Sequence, residues 1–118
     1  MTEPYPEQHS DNDVDVALMA KVSQGDHDAF EELVQKHQHA VVGTVAKMLG
    51  SYDSAEDIAQ QVFLRIWKSA PRYRPTAKFT TYLFTITRNL VFNESRRKSR
   101  QKLHSLEAQE EDWHQQIP

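Results

Sequence analysis

The sequence predicts an all-α fold, a compact bundle of about four helices, on three observations. Apolar residues recur at intervals of three and four through most of the chain. No strand-like alternation longer than a few residues occurs, and Gly-Asn or Asp-Gly hairpin signals are missing. At 118 residues the chain is too short for two independent cores. Hydrophobic residues make up 38% and charged residues 26%, enough for a modest core under a polar surface.

Residues 1–12, with Pro4 and Pro6 and no apolar period, read as a disordered leader. From Asp13 the period begins: Val14, Leu18 and Val22 mark a short first helix, and Gly25 can supply the left-handed residue that ends it. Asp26 can cap the second helix. There Phe30, Leu33, Val34, His37, Val41, Val42, Val45, Met48 and Leu49 form a long apolar stripe up to Gly50. Ser54-Ala55-Glu56-Asp57 resembles a capping arrangement, with negative charge at the positive end of a third helix that runs to about Ser69. Pro71 and Pro75 forbid a regular helix through 69–76. A basic loop, Arg72-Tyr73-Arg74-Pro75-Thr76-Ala77-Lys78, follows. A fourth helix begins at about Phe79 with Leu83, Ile86 and Leu90 and continues into the cationic run Arg96–Lys102. The domain is thus expected over residues 13–105. Residues 106–118, acidic and Gln-rich, read as a linker without helical period that leads toward a further domain.

Charge is strongly segregated beneath a net value of −3. Residues 1–64 hold twelve acids and three lysines; residues 65–102 hold eleven cations and one acid, Glu94; residues 103–118 hold four acids and no Lys or Arg. Concentrating eleven of fourteen cations in a third of the chain is the footprint of a polyanion-binding surface. A solvated charged helix is the alternative. No apolar stretch approaches a membrane span, and the N-terminus lacks the basic and apolar regions of a secretory signal. A cytoplasmic protein is expected.

The absence of cysteine excludes disulfides, thiolate zinc sites, iron–sulfur clusters and cysteine nucleophiles. With three glycines the chain has no Gly-rich phosphate loop, and Gly-x-Ser-x-Gly and His-Glu-x-x-His are also missing. His37 and His39 are two apart on a helix and point away from each other, so they do not share a metal. Glu31 and Glu32 read as exposed helix acids. The expectation is a protein that is not an enzyme and needs no metal or other cofactor.

Two features remain. On the third helix Ile58, Val62 and Ile66 form one apolar row, and Phe63 and Trp67 form a second on a neighbouring face. Spacing alone slightly favours a second row that completes the core. The other reading leaves it, with Asp57, Gln60, Gln61 and Leu64 around it, for another protein. In the basic segment, Arg72, Arg74 and Lys78 flank Tyr73, Phe79 and Tyr82 follow, and Arg88, Asn89, Arg96, Arg97, Lys98 and Arg100 are available on the helix. Cations beside aromatic rings suit single-stranded nucleic acid, because phosphates pair with the cations while unpaired bases stack or enter pockets. Phe79, Leu83 and Ile86 read as core, and Tyr82 is divided between core and contact.

Four pieces then stand in order: Gly25-Asp26-x-x-Ala29-Phe30-x-x-Leu33; Ala55-Glu56-Asp57-Ile58-x-Gln60-x-Val62-Phe63-Leu64-x-x-Trp67; Phe79-x-x-Tyr82-Leu83-x-x-Ile86-x-x-Asn89; and Arg96-Arg97. Over about residues 13–100 they resemble region 2 of the extracytoplasmic-function group of bacterial sigma-70 factors. The resemblance implies that Asp57, Gln60, Gln61, Phe63, Leu64 and Trp67 dock on the β′ clamp helices of RNA polymerase core, which promotes the interface reading. It implies that Tyr73 and Asn89 fall at pocket positions for a flipped non-template base of the promoter minus-ten element. Arg74, Pro75, Thr76, Ala77 and Lys78 become the specificity loop, Tyr82 an adjoining contact, and Arg88, Arg96 and Arg97 holders of the phosphate backbone. An anti-sigma factor competing for the same faces is a further implied partner. The chain departs from the family with Tyr82 where Trp is usual and Asn93 where Asp is frequent. The competing function is a helical module that binds single-stranded nucleic acid without polymerase.

Overall fold

The computed structural model describes residues 10–116, with side chains described through residue 110. Four helices pack around one core, and no strand occurs among the described residues. The first, α1 (Asp11–Val22), opens on Ser10, whose Oγ accepts from the Asp13 amide at 3.1 Å. The helix therefore takes in Asp11 and Asn12, which the sequence assigned to the leader; residues 1–9 lie outside the described residues.

The buried face of α1 is Asp15, Leu18, Met19 and Val22, while Val14 is exposed. Hydropathy would place a valine inside before an aspartate, but the interior offers the carboxylate two partners. His37 Nε2 donates to Asp15 Oδ2 at 3.0 Å, and Lys36 Nζ lies 3.0 Å from Oδ1 in an ion pair that also reaches toward Asp11. An acid can be buried when it is paired in this way and is expensive when it is not.

In α2 (His27–Leu49) the Asp26 carboxylate accepts from the Ala29 amide at 3.1 Å, the expected cap. Gly25 and Gly50 both adopt positive φ, 90° and 74°, and close the turns that follow α1 and α2. Ala29, Leu33, His37, Val41 and Val45 are buried at four-residue spacing; Phe30, Val34, Val42 and Leu49 flank them half-buried, and Met48 is exposed at the end of the stripe.

The cap expected for α3 (Ala55–Ser69) does not form. Ser54 has φ 68° and makes no side-chain bond to the helix. A capping side chain needs an extended backbone to aim at the second or third amide, and the left-handed turn at Ser54 denies that direction. Its carbonyl accepts from the Ile58 amide at 3.0 Å instead, and Ser51 Oγ accepts from the Asp53 amide at 3.0 Å. Ile58, Val62 and Ile66 are buried as the spacing predicts, joined by Ala55, Ala59 and Phe63. Pro71 converts the chain to a 3-10 turn, Ala70–Arg72, beyond Ser69.

The last helix, α4 (Phe79–Gln116), buries Phe79, Leu83, Thr87 and Val91 at four-residue spacing. Thr87 enters the core because its hydroxyl donates to the Leu83 carbonyl at 2.9 Å. Beyond Glu94, every described side chain is exposed. The helix nonetheless continues through residues 106–116, where a linker was expected. That expectation rested on periodicity, whereas the segment is rich in Gln, Glu, Leu and Ala and has no Gly or Pro before Pro118, a composition that favours helix.

Core and projecting portions of α4 should respond differently to the same truncation. Leu83→Ala is expected to cost about 2–5 kcal/mol in urea unfolding, and Leu106→Ala to stay within about 0.5 kcal/mol of the parent.

Candidate protein-docking and nucleic-acid surfaces

Asp57, Gln60, Gln61 and Leu64 recur at i, i+3, i+4 and i+7 along α3, so they line one face. All four are exposed, Leu64 at 55%. Phe63 lies behind them: at 5% exposure it belongs to the core, the reading that spacing alone slightly favours, and not to the exposed face. The reason is angular, since 63 follows the buried Ile58, Ala59 and Val62 on the wheel. Trp67 is half-buried. Its indole stacks on His27 at 4.7 Å between centroids and meets Phe30 edge-on at 5.1 Å.

Between α2 and α3 runs a groove of about 310 Å³, walled by Phe30, Val34 and Gln38 on one side and Glu56, Gln60 and Leu64 on the other, with Ala59 and Phe63 at its base. The α2 wall was missed in the sequence, where Phe30 and Val34 were read simply as core. Their spacing, 30, 34 and 38, is a second row one residue beyond the buried 29, 33 and 37, and that offset is the signal of a half-exposed edge.

The basic loop is held at both ends. The Tyr73 amide donates to the Ala70 carbonyl at 3.1 Å, and the Phe79 amide donates to Asn12 Oδ1 at 2.7 Å. Between these points Arg74, Pro75, Thr76, Ala77 and Lys78 are all exposed. Asn12, placed in the leader and given no role by sequence reasoning, is a further residue the structure adds; a contact across 67 residues leaves no local signature.

Tyr73 is half-buried, its ring 4.9 Å from Tyr82 and 6.4 Å from Phe79. Its hydroxyl is buried without a hydrogen-bond partner among the described residues. Burial, with Tyr82 and Asp15 nearby, pushes the Tyr73 phenol above its ordinary value. A cavity of about 200 Å³ opens beside it, bounded by Met19, Ser23, Pro71, Arg74 and Pro75. Tyr82, half-buried, bonds Ser69 Oγ, which itself donates to the Arg65 carbonyl at 2.8 Å. The bond at Ser69 thus fixes the Tyr82 ring against the end of α3.

Asn89 is exposed seven residues after Tyr82. Two helical turns return it to the same side of α4, about 10 Å along the axis. Tyr73 thus packs on Tyr82, and Asn89 shares the helical face of Tyr82 two turns further on. Arg88, beside Asn89, is exposed with no hydrogen bond or ion pair among the described residues. The other two expected phosphate holders are engaged: Arg96 donates to Asn93 Oδ1 at 2.8 Å, and Arg97 grips Glu94 through two bonds of 2.6 and 3.1 Å. The Arg97 guanidinium holds the Glu94 carboxyl below its ordinary value.

Comparison with known proteins gives a consistent picture. The family description Sigma-70 region 2 matches residues 20–101. RNA polymerase sigma-H factor of Pseudomonas aeruginosa is 32% identical over 79 residues, 67% of this chain and 41% of that protein. ECF RNA polymerase sigma factor SigW of Bacillus subtilis is 35% identical over 78 residues, 66% of this chain and 42% of that protein. ECF RNA polymerase sigma-E factor of Escherichia coli is 29% identical over 99 residues, 80% of this chain and 51% of that protein. The chain spans about half the length of these relatives or less. An NMR structure of an engineered region 2 of sigmaE in complex with GTAAAA superposes with a TM-score of 0.69 at 28% identity, covering 79% of this chain and 97% of that one.

The Glu94–Arg97 pair gives a pH prediction. A carboxyl whose folded value is lowered contributes stability that is present above its ordinary value of 4.5 and is lost as pH falls through the lower folded value. Titrating helicity by circular dichroism from pH 7 downward, the Glu94→Gln variant is expected to lose less signal below pH 4.5 than the parent. The difference should be small, because the pair is partly solvated.

Proposed function

The chain belongs to the sigma-70 region 2 family, and from that premise we propose that it is a transcription-initiation domain acting in the cytoplasm, with two partners on two surfaces. The exposed face of α3 and the adjoining groove dock on RNA polymerase core, at the β′ clamp helices. The basic loop and α4 receive unpaired non-template bases of the promoter minus-ten element. An anti-sigma factor is a third partner, competing for these faces. The chain itself carries out no covalent step and calls on no cofactor.

The observation that carries this reading is the packing of Tyr73 against Tyr82, two helical turns before the exposed Asn89, next to a loop that exposes Arg74 and Lys78. Rings offer stacking to any base, an exposed carboxamide offers both a donor and acceptors to a base edge, and the flanking cations attract phosphate. Support comes also from the neighbour described in complex with the hexanucleotide GTAAAA. Strand opening then follows from differential binding: a surface that takes an unpaired base more strongly than a paired one shifts the equilibrium toward the open strand, offsetting unstacking of roughly a few kcal/mol per base.

Docking through α3 draws on the partly exposed Leu64 and the carboxamides beside it, an apolar centre within a polar rim. Trp67 contributes by holding the groove wall against Phe30.

Two measurements test the reading. Leu64→Glu, at an exposed position that leaves the fold intact, is expected to weaken retention on polymerase core by about thirtyfold, the scale of an interface hot spot; undiminished retention would remove the α3 surface from the proposal. With core present, a panel of forked oligonucleotides varied base by base should reveal a preference that Asn89→Ala weakens at one position by roughly fivefold, one hydrogen bond's worth. Tight binding of free single strands, indifferent to sequence and steeply salt-dependent, would favour a polymerase-independent binder instead.

A further inference from the structure

We propose that Asn12 is a positioning residue for base capture: it caps α4 from another helix and thereby sets the geometry of the 73–78 loop. This rests on the functional reading above, in which that loop and the first turns of α4 receive the base.

The first turn of any helix leaves its amides without intrahelical partners, and the residue just before the helix usually satisfies one with a side-chain oxygen. The residue before α4 is Lys78, whose ammonium can only donate. The Thr81 and Tyr82 amides fold back on the Lys78 carbonyl at 3.0 and 3.3 Å, but the Phe79 amide has no acceptor in its own segment. Asn12 Oδ1 supplies one at 2.7 Å, in a part-buried setting. The helix that carries Tyr82 and Asn89 is thus capped by a side chain 67 residues earlier in the chain.

That acceptor stands on a rigid mount. Asn12 lies one turn before Asp15 on α1 and on the same side of the helix, and Asp15 is fixed to α2 by His37 at 3.0 Å. The His37 ring in turn lies 5.4 Å from the ring of Phe79. Phe79 is therefore gripped twice, by its amide from α1 and by its ring from α2. The loop upstream has no such support among the described residues: between the Tyr73 amide on Ala70 and the Phe79 amide on Asn12, its one backbone–backbone bond there is internal, Thr76 to Arg74 at 2.8 Å. The position of Phe79 therefore governs how the loop spans its ends. Tyr82 belongs to the same first turn, so fraying there would also change how it faces Tyr73, now 4.9 Å away.

A mere contribution to folding would weaken binding of every oligonucleotide alike, whereas a positioning role changes which bases are preferred. The test uses the full chain with polymerase core and single-stranded hexanucleotides varied one base at a time, read by fluorescence anisotropy. The parent should show a spread between best and worst hexanucleotide. Asn12→Ala is expected to shrink that spread about fivefold or more while retention on core stays unchanged. Asn12→Asp, which keeps the acceptor and adds negative charge at a positive helix end, should restore it. Phe79 amide exchange should be slow in the parent and in Asn12→Asp, and fast in Asn12→Ala.

Uniform weakening across the panel, an unchanged spread in Asn12→Ala, or an Asn12→Asp variant that behaves like Asn12→Ala would each overturn the proposal. Rapid exchange of the Phe79 amide in the parent would do so without any variant. If the parent itself shows no spread, the base-capture reading falls along with this one; if the parent discriminates and Asn12→Ala matches it, this one falls alone.

Discussion

The burial of Phe79 is the constraint on which the arrangement depends. It is the first residue of α4 and is fully buried, so the helix must begin inside the bundle rather than at its surface. Its ring packs toward His37 and the tyrosines, and the exposed loop before it is obliged to enter the core over a single residue. Residues 74–78 therefore project as a short arch between the half-buried Tyr73 and the buried Phe79. An arch of that kind can present backbone and side chains outward while costing little further ordering entropy when a ligand arrives.

The third helix solves a different problem, serving a core and a partner with fifteen residues. Ala55, Ala59 and Phe63 are buried along it, while Trp67 spreads across His27 and Phe30. The apolar arc is thereby broad enough to reach the surface at one edge. The groove beside Leu64 is the exposed margin of that arc, which explains why its floor is alanine and phenylalanine and its walls carry Glu56, Gln60 and Gln38.

The helices, their order and most of the core were legible because amphipathic spacing is local: the rows 33, 37, 41, 45 on α2 and 58, 62, 66 on α3 can be counted without coordinates. What failed were judgements that depend on backbone direction or on distant partners. Ser54 has the right residue type for a cap, but its left-handed backbone points the hydroxyl elsewhere. Asp15 looks like a surface acid until His37 and Lys36 arrive from α2, and Asn12 like leader until Phe79 arrives from α4. The surfaces were legible to the same extent: residue types and faces could be read, spacing leaned toward a buried Phe63 and the 30, 34, 38 offset marks the α2 edge, whereas the groove between the two helices and the engagement of Arg97 by Glu94 required the packed structure.

The continuation of α4 changes the meaning of the charge pattern. A flexible acidic linker after Lys102 could fold back and neutralise the cations of residues 88–102, since a loop of a dozen residues closes at modest entropic cost. A helix forbids this. At 1.5 Å per residue, Glu110 stands about 20 Å along the axis from Arg97, beyond the roughly 8 Å over which exposed charges interact at physiological salt. Glu110 is thus too far along the helix to neutralise the cations at residues 88–97, whereas Glu107, five residues from Lys102, stays near the end of the cationic run. Glu94, a single carboxylate three residues from Arg97, holds that guanidinium directly.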